Sequence, residues 1–176
     1  MEQKKEQGCQ TLYASQKPYP SLNVEEKNMR YAQILKMNLA SQKSEMTAIT
    51  QYLYQSWIWN GEYREIAETM HQIAAVEMRH LDLFGKAVRL LGGNPTYSAP
   101  QKNRLYIWNG NAVNYGGHVN RMLRYNLQAE QETIRIYERQ SKIILSGNLP
   151  ELLLRIVEDE KVHVSIFQAL LEKMQG

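Results

Sequence analysis

Cysteine is almost missing from this chain of 176 residues, where Cys9 stands alone. A single thiol excludes an internal disulfide framework and any cysteine-based zinc or iron–sulfur ligand set within the chain. Long apolar runs are missing as well. No stretch approaches about 18 uninterrupted apolar residues, and the first residues are polar, so neither a membrane span nor a signal segment is expected. Aspartate is scarce: only Asp82 and Asp159 stand among the 18 acidic residues, and the rest are glutamates, as suits a helix-rich chain. The 21 basic residues form no dense run and the net charge is +3, which argues against a nucleic-acid partner. What is left is one domain, long enough to build a real core, expected in the cytoplasm.

Prolines and glycines divide the chain. Pro18 and Pro20 bracket Tyr19 in a polar stretch, so residues 1–24 are expected to form an extended N-terminal arm ahead of a helical domain over 25–176. Apolar spacing predicts a first helix from about Val24–Asn28 to Trp59, with Tyr31, Ile34, Asn38, Gln42, Glu45, Ile49, Tyr52 and Ser56 facing inward. Asn60-Gly61 breaks it. A second helix is predicted over about Glu62–Leu91, stopped by Gly92-Gly93-Asn94-Pro95. A connection of about 25 residues follows, carrying Tyr97, Tyr106, Trp108 and Tyr115, which are expected to clamp it to the bundle or to a second subunit. Third and fourth helices are predicted over about His118–Leu145 and Pro150–Met174, separated by Gly147-Asn148. The two short breaks force two antiparallel hairpins, and the long connection permits a crossover between them.

Against that layout, six side chains interrupt otherwise apolar stripes: Glu45, Glu77, His80, Glu130, Glu160 and His163. Residues three apart share a helix face, so Glu77/His80 and Glu160/His163 each aim a carboxylate and an imidazole the same way. Glu45 and Glu77 lie about 15 and 16 residues either side of the first break, which levels them near mid-bundle. The second hairpin levels Glu130 with Glu160 and His163 in the same manner. Four carboxylates on apolar faces are costly to bury unless positive charge meets them. No Lys or Arg falls on those stripes nearby, so two divalent cations are the economical partner. By symmetry Glu77 and Glu160 would bridge two ions, with Glu45 and His80 completing one site and Glu130 and His163 the other. Carboxylate and imidazole suit iron or manganese, and zinc less specifically. The chain carries its own control in Glu68 and His71. That pair has the same spacing but sits nine residues earlier, half a turn out of phase, and is expected to be solvated.

The segments Ser44 to Tyr52, Glu77-Met78-Arg79-His80, Met122 through Glu130 and Asp159-Glu160-Lys161-Val162-His163 resemble the helices of the ferritin-like di-iron and di-manganese carboxylate superfamily. The wording is closest to bacterioferritin, and similar to rubrerythrin and manganese catalase, over about residues 30–175. That resemblance implies a ferritin-like four-helix bundle and the ligand roles just given. It also implies an oxidoreductase of the peroxide-detoxifying or ferroxidase type, acting on peroxide, dioxygen or ferrous iron. The alternative is a bacterioferritin-like protein that oxidises and stores iron. A peroxidase would require an external electron-donor protein, because no cysteine-rich rubredoxin-like segment follows the bundle. Leu127 stands where rubrerythrins carry a further glutamate. The chain ends with helix four, where bacterioferritin cages have a short fifth helix, so a homodimer is expected rather than a shell. Met78 matches the position of bacterioferritin's haem-ligating methionine, but Glu-Met-x-His occurs widely without haem, and none is expected.

Neighbouring groups carry smaller expectations. Tyr52, seven residues after Glu45, is expected to bond a ligand or relay an electron, and Tyr137 stands in the same relation to Glu130. Asp159 is expected to receive the far ring N–H of His80. Val76 holds the equivalent place in helix two, so such support would be one-sided. His118 opens helix three and is expected to be structural or solvated.

Overall fold

The computed structural model describes residues 13–101 and 104–174, so residues 1–12 of the expected arm lie outside the described residues. The helices are α1 (Met29–Ala40), α2 (Glu45–Ile58), α3 (Arg64–Leu90), α4 (Val119–Gln140) and α5 (Leu149–Lys173). α1 and α2 follow one another as a single rod that packs along α3, and α4 packs along α5. The architecture is therefore the expected ferritin-like bundle: two antiparallel hairpins joined by a long crossover.

The first rod departs from expectation, because it is two helices rather than one. Ser41-Gln42-Lys43-Ser44 interrupts it with non-helical backbone at both flanking serines. The cause is local competition by hydroxyls. Ser41 Oγ donates to the Lys43 carbonyl at 2.8 Å, and Ser44 Oγ donates to the Ser41 carbonyl at 2.7 Å. The inward spacing survives the break, since Asn38 is buried seven residues before Glu45, as expected. In α1 Ala32, Leu35 and Leu39 are buried alongside Asn38, whereas Gln42, expected inward, is exposed. α4 also stops early, at Gln140 rather than Leu145, where a turn carries Ile143 N–H and Ile144 N–H to the Gln140 carbonyl.

The crossover lies along the first rod. It contains a two-stranded antiparallel hairpin, β1 (Ser98–Gln101) and β2 (Arg104–Ile107), which spacing alone does not predict. Of its aromatics, Trp108 clamps it to the bundle and Tyr115 packs edge-on to Tyr54 at 5.0 Å between centroids, whereas Tyr97 is exposed. Trp108 Nε1 donates to Thr47 Oγ1 at 2.9 Å, and Gln51 exchanges two hydrogen bonds with the Asn114 backbone. Trp59 Nε1 donates to the Gly117 carbonyl from the other side.

Two apolar plugs fill the bundle. One joins Leu35, Leu39, Phe84, Val88, Leu153 and Ile156, and the other joins Met70, Ile73, Met122, Leu123 and Phe167. Each such side chain contributes about 1.5–3 kcal/mol by leaving water. The layer between the plugs is polar, and they close it at both ends of the bundle.

The end of the bundle between α4 and α5 turns on Gly147, at φ +53, where a Cβ would collide with the side chain and backbone of Asn23. Gly147→Ala is expected to cost about 2 kcal/mol, lowering the melting midpoint by roughly 4–8 °C. Gly61→Ala, which meets nothing within 4 Å, should leave the midpoint nearly unchanged. Thermal unfolding of the two variants checks the contrast.

Candidate metal centre

The polar layer brings all six side chains together. Glu45 opens α2, Glu77 and His80 lie on α3, Glu130 on α4, and Glu160 and His163 on α5. All six are buried, at 3% exposure or less. They form two overlapping groups, Glu45/Glu77/His80/Glu160 and Glu77/Glu130/Glu160/His163, within which the potential ligand atoms lie within 4.8 Å of one another. Glu77 and Glu160 belong to both groups. Each imidazole turns Nδ1 into the cluster. His80 Nδ1 lies 2.8 Å from Glu77 Oε2 and 3.3 Å from Glu160 Oε1. His163 Nδ1 lies 3.0 Å from both Glu77 Oε1 and Glu160 Oε2.

The donor set fits a pair of divalent cations. Oε1 of Glu77 and Oε1 of Glu160 are buried and receive no well-directed hydrogen bond, although an imidazole nitrogen is near each. Buried carboxylate oxygens left without donors are rare, and here they belong to the two residues shared by both groups. Glu68 and His71, the out-of-phase pair, are exposed, as is His118.

Two tyrosines cross the layer. The Tyr52 hydroxyl donates to Glu130 and the Tyr137 hydroxyl donates to Glu45, so each tyrosine bonds the glutamate of the opposite helix. The ring of Tyr52 leans on Phe167 at 5.7 Å between centroids, and that of Tyr137 on Phe84 at 5.3 Å. These are the only phenylalanines in the chain, and each backs one tyrosine. Spacing shows that Tyr52 and Tyr137 reach the layer, but the exchange of partners follows from the antiparallel register of α2 and α4.

Two further pairs repeat the pattern and escape sequence reasoning. Asn38 and Gln140 exchange side-chain hydrogen bonds at 2.6 and 2.9 Å, and Gln55 and Asn126 do so at 3.2 and 2.7 Å. The only available signal was polar residues on inward stripes, and it does not say which amide meets which.

The outer nitrogens of both imidazoles are also held. His80 Nε2 donates to Asp159 Oδ2 at 3.0 Å, the contact its place before Glu160 suggests. Arg155 meets the other oxygen of Asp159 at 2.7 Å. Support is not one-sided, however. His163 Nε2 donates to the backbone carbonyl of Tyr13 at 3.0 Å, and a carbonyl on the N-terminal arm leaves no side-chain signal to read.

Protonation in this layer follows from burial and crowding. Burial pushes the Glu45 and Glu130 carboxyls well above the ordinary range, and neighbouring carboxylates push the same way. For Glu77, burial is opposed and outweighed by the imidazoles of His163 and His80, which hold it below that range. Burial alone would lower both imidazoles, but Glu77 and Glu160 hold them well above their usual value. Asp159 is drawn down to about 2: burial opposes its ionisation, and the donors His80, Tyr19 and Arg155 prevail.

The fold and this layer together define a class, and the chain belongs to it: residues 39–176 match the ferritin-like domain family. Among individual relatives, the chain is 30% identical over 148 residues to the bacterioferritin of Desulfovibrio desulfuricans, a match spanning 79% of this chain and 74% of that protein. Among solved structures it is similar to KatB, a manganese catalase from Anabaena PCC7120, with a TM-score of 0.79 and 25% identity over 93% of this chain and 81% of the other. It is also similar to the structure of the Desulfovibrio desulfuricans bacterioferritin with its diiron site. There the TM-score is 0.68 at 25% identity, over 84% of this chain and 81% of that one.

A pH signature follows for protein stripped of metal. Groups raised in the folded state stabilise it below their unfolded values and lose that contribution as pH rises. Glu45, Glu130, His80 and His163 all act in this sense. Glu77 and Asp159 act oppositely, and only at the acid end. Stripped protein should therefore lose stability progressively as pH rises above the ordinary values of these groups, 4.5 for the carboxyls and 6.5 for the imidazoles, whereas loaded protein, its ligands already deprotonated, should change far less. Parallel melting curves for the two forms across that range would overturn this.

Proposed function

We propose that the protein is a dinuclear-metal oxidoreductase acting on hydrogen peroxide or dioxygen, with removal of peroxide as its task. The observation that carries this reading is a buried layer of four carboxylates and two imidazoles with a cavity opening onto it. Glu77 and Glu160 would bridge two iron or manganese ions, with Glu45 and His80 on one and Glu130 and His163 on the other. The likeness to a manganese catalase along nearly the whole chain favours a catalase-type reaction.

The cavity, about 750 Å3, lies between the α1–α2 rod and α4. Tyr52, Tyr137 and Glu130 line it at the layer, with Ile34, Met37 and Ile136 further out. Peroxide and dioxygen are small and uncharged, so a cavity of this size with a mixed polar and apolar lining admits them. The ions, when bound, supply reversible electron uptake. The protein's part is to hold and orient the ligands and to limit access to them. Reducing one peroxide to two waters takes up two protons and two electrons, and oxidising a second to dioxygen returns both. Tyr52 and Tyr137, which line the cavity and donate to Glu130 and Glu45, would steady these two ligands in the deprotonated state that metal binding requires. Such a cycle needs no external reductant. A peroxidase cycle on the same centre would draw electrons from a separate donor protein. We place the protein in the cytoplasm as a homodimer. No described helix is long and apolar enough to cross a membrane.

The second reading is iron oxidation and storage, favoured by the bacterioferritin relative. Particle mass and peroxide chemistry separate the two. Metal-loaded protein near dimer mass that rapidly releases dioxygen from added peroxide supports the first. A particle of many subunits that takes up excess ferrous iron and releases no dioxygen supports the second.

Bridging has its own test. Glu77→Ala or Glu160→Ala is expected to lose both ions more readily than Glu45→Ala, read as metal per chain by elemental analysis. Equal occupancy would contradict the bridging roles. Complete metal removal should lower the thermal midpoint by roughly 5–10 °C, the loss expected when a ligand at about a hundred times its dissociation constant is withdrawn.

A further inference from the structure

The N-terminal arm lies directly over the outer face of the polar layer, where α3 and α5 carry the two histidines. Its attachment is polar and specific. The Tyr13 carbonyl accepts from His163 Nε2 at 3.0 Å. Ser15 N–H donates to Asp159 Oδ1 at 2.8 Å, and the Tyr19 hydroxyl donates to Asp159 Oδ2 at 2.5 Å, the oxygen that also receives His80. Arg155, only 7% exposed, is the fastener. Its Nε donates to the Lys17 carbonyl at 2.7 Å and its Nη2 to the Ser15 carbonyl at 2.9 Å. Its guanidinium stacks 4.2 Å from the centre of the Tyr19 ring, while Arg79 stands 5.5 Å from the same ring. Further along, Asn23 and Asn148 exchange backbone-to-side-chain hydrogen bonds, and Glu25 N–H donates to Ser146 Oγ.

We propose that this arm is the outer clamp of the dinuclear centre, fixing the His163 ring directly from behind, bracing the Asp159 that holds His80, and governing how readily metal is lost. The inference rests on the dinuclear reading and goes beyond it. An imidazole that offers Nδ1 to a cation must keep its proton on Nε2, and a fixed acceptor there sets both tautomer and ring angle. His80 has a carboxylate acceptor on α5, so its support survives movement of the arm. His163 has only the Tyr13 carbonyl, and that carbonyl is part of no helix or strand. Releasing the arm therefore weakens one ion, the one shared by Glu130 and His163, before the other. Arg155 and the arm act as positioning groups, since neither reaches the layer itself.

The test uses the full chain loaded with two manganese ions and then mixed with excess chelator, counting metal remaining per chain over time. Arg155→Leu, which unfastens the arm, is expected to lose one of its two ions at least about ten-fold faster than the unmodified chain, with the second ion retained longer. Arg155→Lys, which keeps a cation and one set of donors, should fall between. In zinc-loaded protein, the imidazole N–H signal of His163 should broaden or vanish in Arg155→Leu while that of His80 persists. Should Arg155→Leu fail to fold, Ser15→Pro removes the Ser15 N–H while leaving every helix residue in place, and the same loss is expected of it. Unchanged release with both N–H signals intact, or equal acceleration of both ions, overturns the clamp. An unmodified chain that takes up two ions while its variants release them at its own rate leaves the dinuclear reading standing. One that takes up none sinks both.

Discussion

Charge confined to a buried layer is the constraint from which the rest of this structure follows. Four carboxylates and two imidazoles occupy one cross-section of the bundle, with apolar plugs above and below. Such a layer is tolerable only if each negative charge meets a proton or a cation. Without a cation the groups divide the work, since burial favours protons on Glu45 and Glu130 while Glu77 and the imidazoles favour each other's charged forms. A pair of divalent ions would replace those protons and also satisfy the donor-starved oxygens of Glu77 and Glu160. The plugs and the layer depend on one another: without the plugs water would enter, and without counter-charge the layer would force them apart.

The two sides of the bundle are built on different chemistry. α2 against α3, and α4 against α5, are packed apolar pairs, whereas the α1–α2 rod and α4 meet through polar rungs. The rungs are Asn38 with Gln140, Glu45 with Tyr137, Tyr52 with Glu130, and Gln55 with Asn126. A seam made of hydrogen bonds leaves room where an apolar seam would close, and the cavity lies along it. The opposite side, behind the histidines, is covered by the arm. The cavity and the outer support of the imidazoles are thus on opposite faces, so opening the seam need not disturb the imidazoles.

Much of this was legible in the sequence, and the exceptions share a cause. Helical phase alone brings Glu45, Glu77, His80, Glu130, Glu160 and His163 to one layer, and it puts Glu68 and His71 outside. It succeeds because a helix turns about 100° per residue wherever nothing interrupts it. It fails at Ser41–Ser44, where hydroxyls compete for the backbone and turn Gln42 outward. The crossover hairpin is missed because its strands are only four residues long and one contains Pro100. Partner choice across the seam is missed for a different reason. It depends on the register between helices distant in sequence, which periodicity within one helix does not contain. The Tyr13 carbonyl is the extreme case, since every residue type has one.

The break in the first rod turns out to belong with the site. It falls immediately before Glu45, the first residue of α2. The seam keeps its spacing across it, since Asn38, Glu45 and Tyr52 are seven residues apart and each meets α4. The interruption also leaves Gln42 and Lys43 exposed, and Ser41 half-buried, along the cavity wall. α4 needs no such break, because its inward face stays in phase from Met122 through Tyr137. The pseudo-symmetric layer is therefore held by two rods that are not themselves alike, and the difference falls on the side where the cavity opens.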